Sequence, residues 1–417
     1  MTVADTVAHA PTSERRIVDD AIEGFLAGFD PAASVPNDQT WGAVYDAGLS
    51  RVDFPADRGG LGVQPDLQWV VDDALQAGGV PNNFNDNIAG IAVVAPVITA
   101  FGTAEQQSRH LRRIFTCEDV WCQLFSEPEA GSDLASLRTR AERDGDGWTL
   151  TGHKVWNTMA HISDFGLLLA RTSDAPRHKG ITCFLLDMKT PGVEVRPIRQ
   201  MTGEAEFNEV IFDGAFIPDT ARVGDVDQGW AVALGTLMAE RFAVSQVIDN
   251  KVPIIDEIIE LWRDLEPTSQ DAARRDALVQ LVVRSRVLGL MRDRVESKFR
   301  AGIPGPEGSL LKLAQAELTP DIYNYGLDLL GAGGMLSTGY DLAPPSSWAD
   351  AGVTGGDVRR AFLRSRAYPI EGGAAEIQRN TIAERILGLP AASQPVGEPR
   401  PCRIRSVRLK LQVAHSR

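Results

Sequence analysis

Two runs of alternating apolar and polar residues flank Asp144-Gly145-Asp146-Gly147 in LRTRAERDGDGWTLTGHKVWNT, residues 137–158. Asp-Gly pairs supply the left-handed backbone a tight hairpin turn needs, and period-two alternation on both sides sets two strands. Short segments rich in β-formers follow: DFGLLLART (164–172), GITCFLLDM (180–188), GVEVRPIRQ (192–200) and FNEVIFDGAFIP (207–218). No helix of useful length separates them, which favours an antiparallel sheet or barrel over βαβ units.

On either side the period is helical. SERRIVDDAIEGFLAGF, TWGAVYDAGL, DLQWVVDDALQAG and IAGIAVVAPVITAFG precede the β region, broken by loops such as FPADRGGLG. QGWAVALGTLMAERFAVSQVI, ALVQLVVRSRVLGLMRDRVESKF and AAEIQRNTIAERIL come after it. The expected class is α+β, with helices over 1–120, β structure over 121–227, helices over 228–390 and a basic tail over 391–417. No internal repeat is present.

The net charge of −14 argues against nucleic acid or an anionic membrane as the default partner. The tail runs the other way: Arg400, Arg403, Arg405, Arg408, Lys410 and Arg417 face only Glu398. Such an end reads as solvated and poorly ordered. Four cysteines, Cys117, Cys122, Cys183 and Cys402, are too scattered for a disulfide framework, and none has zinc-site spacing with the six histidines. A reducing cytoplasm is expected. The opening MTVADTVAHAPTSERR lacks the apolar core of a secretory signal, and no run reaches the ~20 apolar residues of a membrane helix.

Several stretches invite a site reading. GAGGML (331–336) follows a helical run rather than a strand, so a helix-ending glycine cluster accounts for it better than a dinucleotide site. GIPGPEGSLLKL lacks the Gly-Lys-Ser/Thr of a phosphate loop. LFSEPEAGSDLASL (124–137) joins the helical part to the β part with small residues that let a planar ligand approach the backbone. On shape alone a linker with Asx and Ser turns is the favoured reading. Trp156, with Asn157 and Thr158 after it, closes a strand. An aromatic there is commonly core, yet it suits the face of an isoalloxazine ring, with Thr158 bonding its edge.

Glu240 is the most informative single residue. At 100° per residue, Ala233, Leu237, Glu240, Val244 and Val247 fall in one narrow stripe of their helix. Burying a carboxylate there costs several kcal/mol unless it is paired or protonated. Desolvation raises its pKa, as a general base near neutral pH requires. A buried ion pair, with Arg241 for instance, explains the position equally well.

Taken together, these stretches resemble the acyl-CoA dehydrogenase family. FSEPEAGSDLASL, DGWTLTGHKVWNT, MTGEAEFNEVIFD, GDVDQGWAVALGTLMAER, DLLGAGG and AAEIQRNTIAERILGLP occur in the family's order and spacing, over about residues 20 to 390. Their wording is most similar to actinobacterial members used in lipid and sterol side-chain breakdown. The resemblance implies an N-terminal α-helical domain, a β-barrel-like middle domain and a C-terminal four-helix bundle. It also implies FAD, an acyl-CoA substrate, and an electron-transfer flavoprotein as acceptor. A glutamate would take the α-proton while the β-hydrogen leaves as hydride to flavin N5. Flavin contacts carried over are Phe125, Ser126, Gly131, Ser132, Trp156 and Thr158, with Ser132 and Arg241 also near substrate.

In the family's commonest form the base precedes the Ile of Ile-Gln-Arg by five residues. Here that position is Gly372, and Glu371 stands one place earlier, where the family has tyrosine. A minority of members carry the base in a Glu-Arg pair on the helix after the β domain, which here is Glu240-Arg241. The resemblance therefore implies Glu240 as base, Glu371 as second choice, and the Gly372 backbone N–H as donor to the enolate. The family's Arg-x-x-Phe-Gly segment is missing after Asn250, Ala374 replaces a threonine and Asp328 a glutamine. These departures weaken the FAD contacts across a subunit interface and fit members that pair as α2β2 heterotetramers, with a homotetramer the alternative assembly. Two alternatives stay open: a non-catalytic partner subunit, and an oxidase or monooxygenase of the same fold.

Overall fold

The computed structural model describes residues 13–236, 254–265, 271–300, 307–336 and 357–390. Glu240, Arg241 and the basic tail over 391–417 lie outside the described residues.

Helices α1 (Ser13–Gly28), α2 (Asn37–Asp46), α3 (Gln68–Ala77), α4 (Ala95–Phe101) and α5 (Ala104–Phe115) come first. The start of α5 is set by a capping box: Thr103 Oγ1 accepts from Gln106 N–H at 3.2 Å, and Gln106 Oε1 accepts from Thr103 N–H at 3.0 Å. The same Gln106 side chain donates to the carbonyls of Thr220 and Arg222, which ties this helix to the sheet. Buried Asn87 does the same job further on. It donates to Ile114 and Asp119 carbonyls and accepts from Trp121 N–H.

Strands β1 (Trp121–Leu124), β2 (Arg140–Asp144), β3 (Gly147–Thr158), β4 (Phe165–Arg171), β5 (Ile181–Asp187), β6 (Val193–Pro197), β7 (Phe207–Pro218) and β8 (Arg222–Val223) form one sheet, ordered β6-β7-β3-β2-β4-β5-β8. The expected β2–β3 hairpin turns at Gly145, whose φ is +55°. The antiparallel expectation needs one correction: β1 pairs parallel with β4, Trp121 opposite Phe165, and Arg140 bridges Arg171 in parallel. A parallel partner needs a crossover of a dozen or more residues, and the loop plus the β2–β3 hairpin provides it.

Both faces of this sheet are covered. Leu167 and Leu169 of β4, with Cys183 and Leu185 of β5, pack against Leu111, Ile114 and Phe115 of α5. Their neighbours Leu168, Ala170, Phe184 and Leu186 point the other way, into a core with Trp148, Leu150, Val210 and Phe212. That double burial is why GLLLA and TCFLL are continuous apolar runs. Each such leucine contributes about 1.5–3 kcal/mol by leaving water.

After the sheet, helix α6 occupies 229–236 at the edge of the described residues. Helices α7 (Ile254–Arg263), α8 (Ala272–Arg300), α9 (Glu307–Leu330), α10 (Val358–Ser365) and α11 (Ala375–Thr381) follow. Ile255, Ile258, Leu278, Leu281, Leu318, Ile322 and Leu329 form their shared core. The glycine cluster after α9 ends that helix as the sequence implied, in a short turn over Gly331–Met335.

Candidate functional site

The loop after β1 is held from beneath by a lysine. Lys154 of β3 is fully buried, and its Nζ donates to Phe125 O at 3.0 Å and to Glu127 Oε1 at 2.8 Å. Glu127 also accepts from the backbone N–H of Arg138 (2.6 Å) and Thr139 (2.9 Å). Burial pulls the Lys154 pKa down to about 8, with Glu127 pulling the other way. Burial pushes the Glu127 carboxyl up, but the Lys154 charge and these hydrogen bonds outweigh it and hold it below the ordinary glutamate value. Val155 N–H donates to Ser126 O, and Glu127 and Ala130 exchange two 3.0 Å backbone bonds. Phe125 is thereby buried while Gly131 and Ser132 face solvent. The space beside Gly131 is open: a Cβ there would meet nothing within 4 Å.

Trp156 is not core. It is 58% exposed, with φ at +64°, a conformation that bulky L-residues adopt only at a local cost. Strand parity alone would send it inward with Trp148, Leu150 and Lys154. The pairing of β3 with β7 slips between Lys154 and Asn157, and that irregularity turns the indole out. Its ring stands edge-on to Phe207, centroids 6.0 Å apart. The next residue is pinned: Asn157 donates to Gln123 O at 2.8 Å, and Asn208 donates to Asn157 O at 2.9 Å. Thr158 is half-buried opposite Phe207.

The segment after α10 comes to the same place. Arg364 lies with its Cζ 5.6 Å from the Phe207 ring and 5.3 Å from that of Tyr368. Its guanidinium forks onto Glu371, Nη2 to Oε2 at 2.9 Å and Nη1 to Oε1 at 3.3 Å. Glu206 Oε1 is 3.7 Å away. Burial works against the Arg364 charge, and the Glu371 carboxylate more than restores it. Gly372 and Gly373 follow at φ +60° and +90°. Lys312 donates to the carbonyls of Tyr368 and Gly373, and Gln378 to those of Gly372 and Gly373. No acceptor among the described residues takes the Gly372 N–H.

Helix α6 starts flush against the sheet. A Cβ on Gly229 would sit 2.7 Å from Thr182 C and 2.8 Å from Cys183 N. Asp227, at φ +65°, accepts from Thr172 and Ser173 hydroxyls and fixes the approach. Gly229, Val232, Ala233 and Thr236 form the buried face of its described turns.

Phe125, Ser126, Trp156, Thr158, Glu371 and Gly372 thus share one neighbourhood, linked through residues the sequence reading did not single out: Glu127, Lys154, Phe207, Lys312 and Arg364. Lys154 carried a signal, since it shares strand parity with buried Trp148 and Leu150. The others carried none. An exposed indole and, nearby through Phe207 and Arg364, an amide that no described residue accepts from are groups able to contact a planar, hydrogen-bonding ligand. Among the described residues, no group of three or more His, Cys, Asp or Glu could hold a metal ion, and no helix is long and apolar enough to cross a membrane.

Family models for the N-terminal, middle and C-terminal domains of acyl-CoA dehydrogenases match residues 12–118, 122–215 and 227–387. The chain is 38% identical over 362 residues to acyl-CoA dehydrogenase FadE34 of Mycobacterium tuberculosis, which is 86% of this chain and 47% of that protein. It is thus a match to about half of that relative's length. Acyl-CoA dehydrogenase IpdE1 of the same organism is 37% identical over 351 residues, 82% of this chain and 86% of its own. Among solved structures, a steroid ACAD, Tcur3481-Tcur3483, superposes with a TM-score of 0.68 at 22% identity, covering 92% of this chain and 99% of that one. At that identity the likeness concerns the fold.

Proposed function

The chain belongs to the acyl-CoA dehydrogenase family, and from that membership we propose that it desaturates an acyl-CoA thioester between its α and β carbons with FAD, in lipid or sterol breakdown. The observation that supports this reading is the chain of contacts from Trp156 through Phe207 and Arg364 to Glu371, the residue before Gly372, more than 200 residues on in sequence. When bound, FAD would supply the hydride acceptor. The chain's own residues would do the rest. Trp156 and Thr158 would cover and hydrogen-bond the ring, and Phe125, Ser126, Gly131 and Ser132 would seat it. The Gly372 N–H would donate to the thioester oxygen as negative charge develops there.

We assign the base to Glu240. It lies on the sequence stripe begun by Ala233, which is fully buried, and seven residues is about two helical turns. Glu371 is the weaker choice because both its oxygens are engaged by the Arg364 fork. Arg241, beside Glu240, would reach the substrate. The three cysteines among the described residues are free, which suits a reducing cytoplasm.

An exposed stripe of Val279, Val283, Val287 and Leu290 along α8 supports assembly into a homotetramer or an α2β2 heterotetramer. An electron-transfer flavoprotein would take the electrons. A second reading, a partner subunit without catalysis of its own, is favoured by one fact: Gly372 stands where the family's commonest base would be. Purifying the chain, recording its flavin spectrum and challenging it anaerobically with a panel of acyl-CoAs decides between them. Bleaching supports the enzyme. Bound flavin that no acyl-CoA bleaches, or flavin regained only with a second chain, supports the partner reading.

A further inference from the structure

We propose that Arg364 and Glu371 act as a positioning pair that fixes the Gly372 amide as the hydrogen-bond donor to the enolate; this rests on the desaturase reading above. Two successive glycines at positive φ have wide conformational freedom, so the amide between Glu371 and Gly372 has no local reason to hold one direction. Its carbonyl-side neighbours are held: Lys312 grips Gly373 O at 2.7 Å, and Gln378 bonds Gly372 O and Gly373 O at 3.3 and 3.2 Å. On the amide side, Glu371 N–H bonds Ala367 O at 2.9 Å, and the Glu371 side chain is anchored by Arg364.

That anchor is itself rigid. The Arg364 side chain is only 10% exposed and packs on the Phe207 and Tyr368 rings, with Glu206 nearby. Phe207 in turn meets Trp156. The fork therefore couples the donor amide to the wall on which the flavin would rest, so that ring and donor keep a fixed separation. A forked guanidinium–carboxylate pair sets direction as well as distance, which a lysine cannot do. The engagement of Glu371 in this role also explains a carboxylate at the site that is not the base.

The test reads enolate stabilisation without turnover. Acetoacetyl-CoA is an acidic thioester whose enolate absorbs in the near ultraviolet, and its apparent pKa when bound to the flavin-loaded protein reports the oxygen's hydrogen bonds. Arg364→Lys and Glu371→Gln should each raise that pKa by about one unit, a tenfold loss of enolate stabilisation, and slow anaerobic bleaching by a similar factor. Binding of the neutral form, measured at a pH below both the free and the bound pKa, should change less than about threefold. Should Arg364→Lys lose its flavin, Glu371→Gln decides, because its half-exposed side chain makes it the gentler change. An unshifted pKa in a flavin-loaded Glu371→Gln overturns the inference while leaving the desaturase reading intact. A wild-type protein that binds FAD but neither binds acetoacetyl-CoA nor bleaches with any acyl-CoA overturns the reading beneath it.

Discussion

Lys154 Nζ lies 2.8 Å from Glu127 Oε1, with both side chains shut away from solvent, and this pair holds the loop that carries Ser126, Gly131 and Ser132. Removing one member strands the other's charge. Lys154→Met should therefore cost about 3–5 kcal/mol, measured by urea unfolding. Replacing both, as Lys154→Met with Glu127→Leu, should cost markedly less than the single change. A Lys154→Met protein as stable as wild type would show that the pair does not hold the loop.

The same pair sets a pH dependence. The folded Glu127 carboxyl lies below its ordinary 4.5, so its contribution is complete above that value and is lost as pH falls through the folded pKa. Stability should drop more steeply below about pH 4.5 in wild type than in Glu127→Gln. Lys154 works at the other limb. Its folded pKa of about 8 lies below the ordinary 10.5, so the unfolded chain binds more protons between them and this group adds stability as pH rises across that window. Unfolding midpoints from pH 3 to 10 give both slopes, and parallel curves for the two proteins would contradict the assignment to Glu127.

Trp156 is 58% exposed on a left-handed backbone, and the proposed function gives its indole a flavin ring to cover. Trp156→Ala should weaken FAD binding about tenfold, near 1.4 kcal/mol, while moving the apoprotein's unfolding midpoint little. Flavin fluorescence titration measures the first and circular dichroism melting the second. Unchanged FAD affinity would remove the indole from the cofactor site.

Gly229 has no room for a side chain, because the backbone of Thr182 and Cys183 meets its Cα face. Gly229→Ala should force α6 away from β5 and cost about 1–3 kcal/mol. Since α6 leads toward Glu240, the bleaching rate should fall too, beyond what the loss of folded protein explains. Melting and stopped-flow bleaching on the same preparation separate the effects.

The chain's own pattern announced much of this fold. The Asp-Gly turn marked the β2–β3 hairpin, and FNEVIFDGAFIP coincides with β7, Phe207–Pro218. Parallel pairing of β1 with β4 was hidden because it joins segments some 40 residues apart, with no local turn to announce it. Family wording placed Trp156 and Gly372 at one site, but nothing local showed that Phe207 and Arg364 would join them. Arg364 and Glu371 are seven residues apart, yet α10 ends at Ser365, so helical spacing does not predict their contact. The outward turn of Trp156 was not legible either, because it follows from the slipped pairing before Asn157.

Which carboxylate takes the α-proton is tested most directly by anaerobic flavin bleaching by acyl-CoA in Glu240→Gln and Glu371→Gln. The prediction is that Glu240→Gln keeps its FAD and does not bleach, while Glu371→Gln bleaches about tenfold more slowly than wild type. A Glu240→Gln protein that bleaches normally beside a Glu371→Gln protein that does not would contradict it.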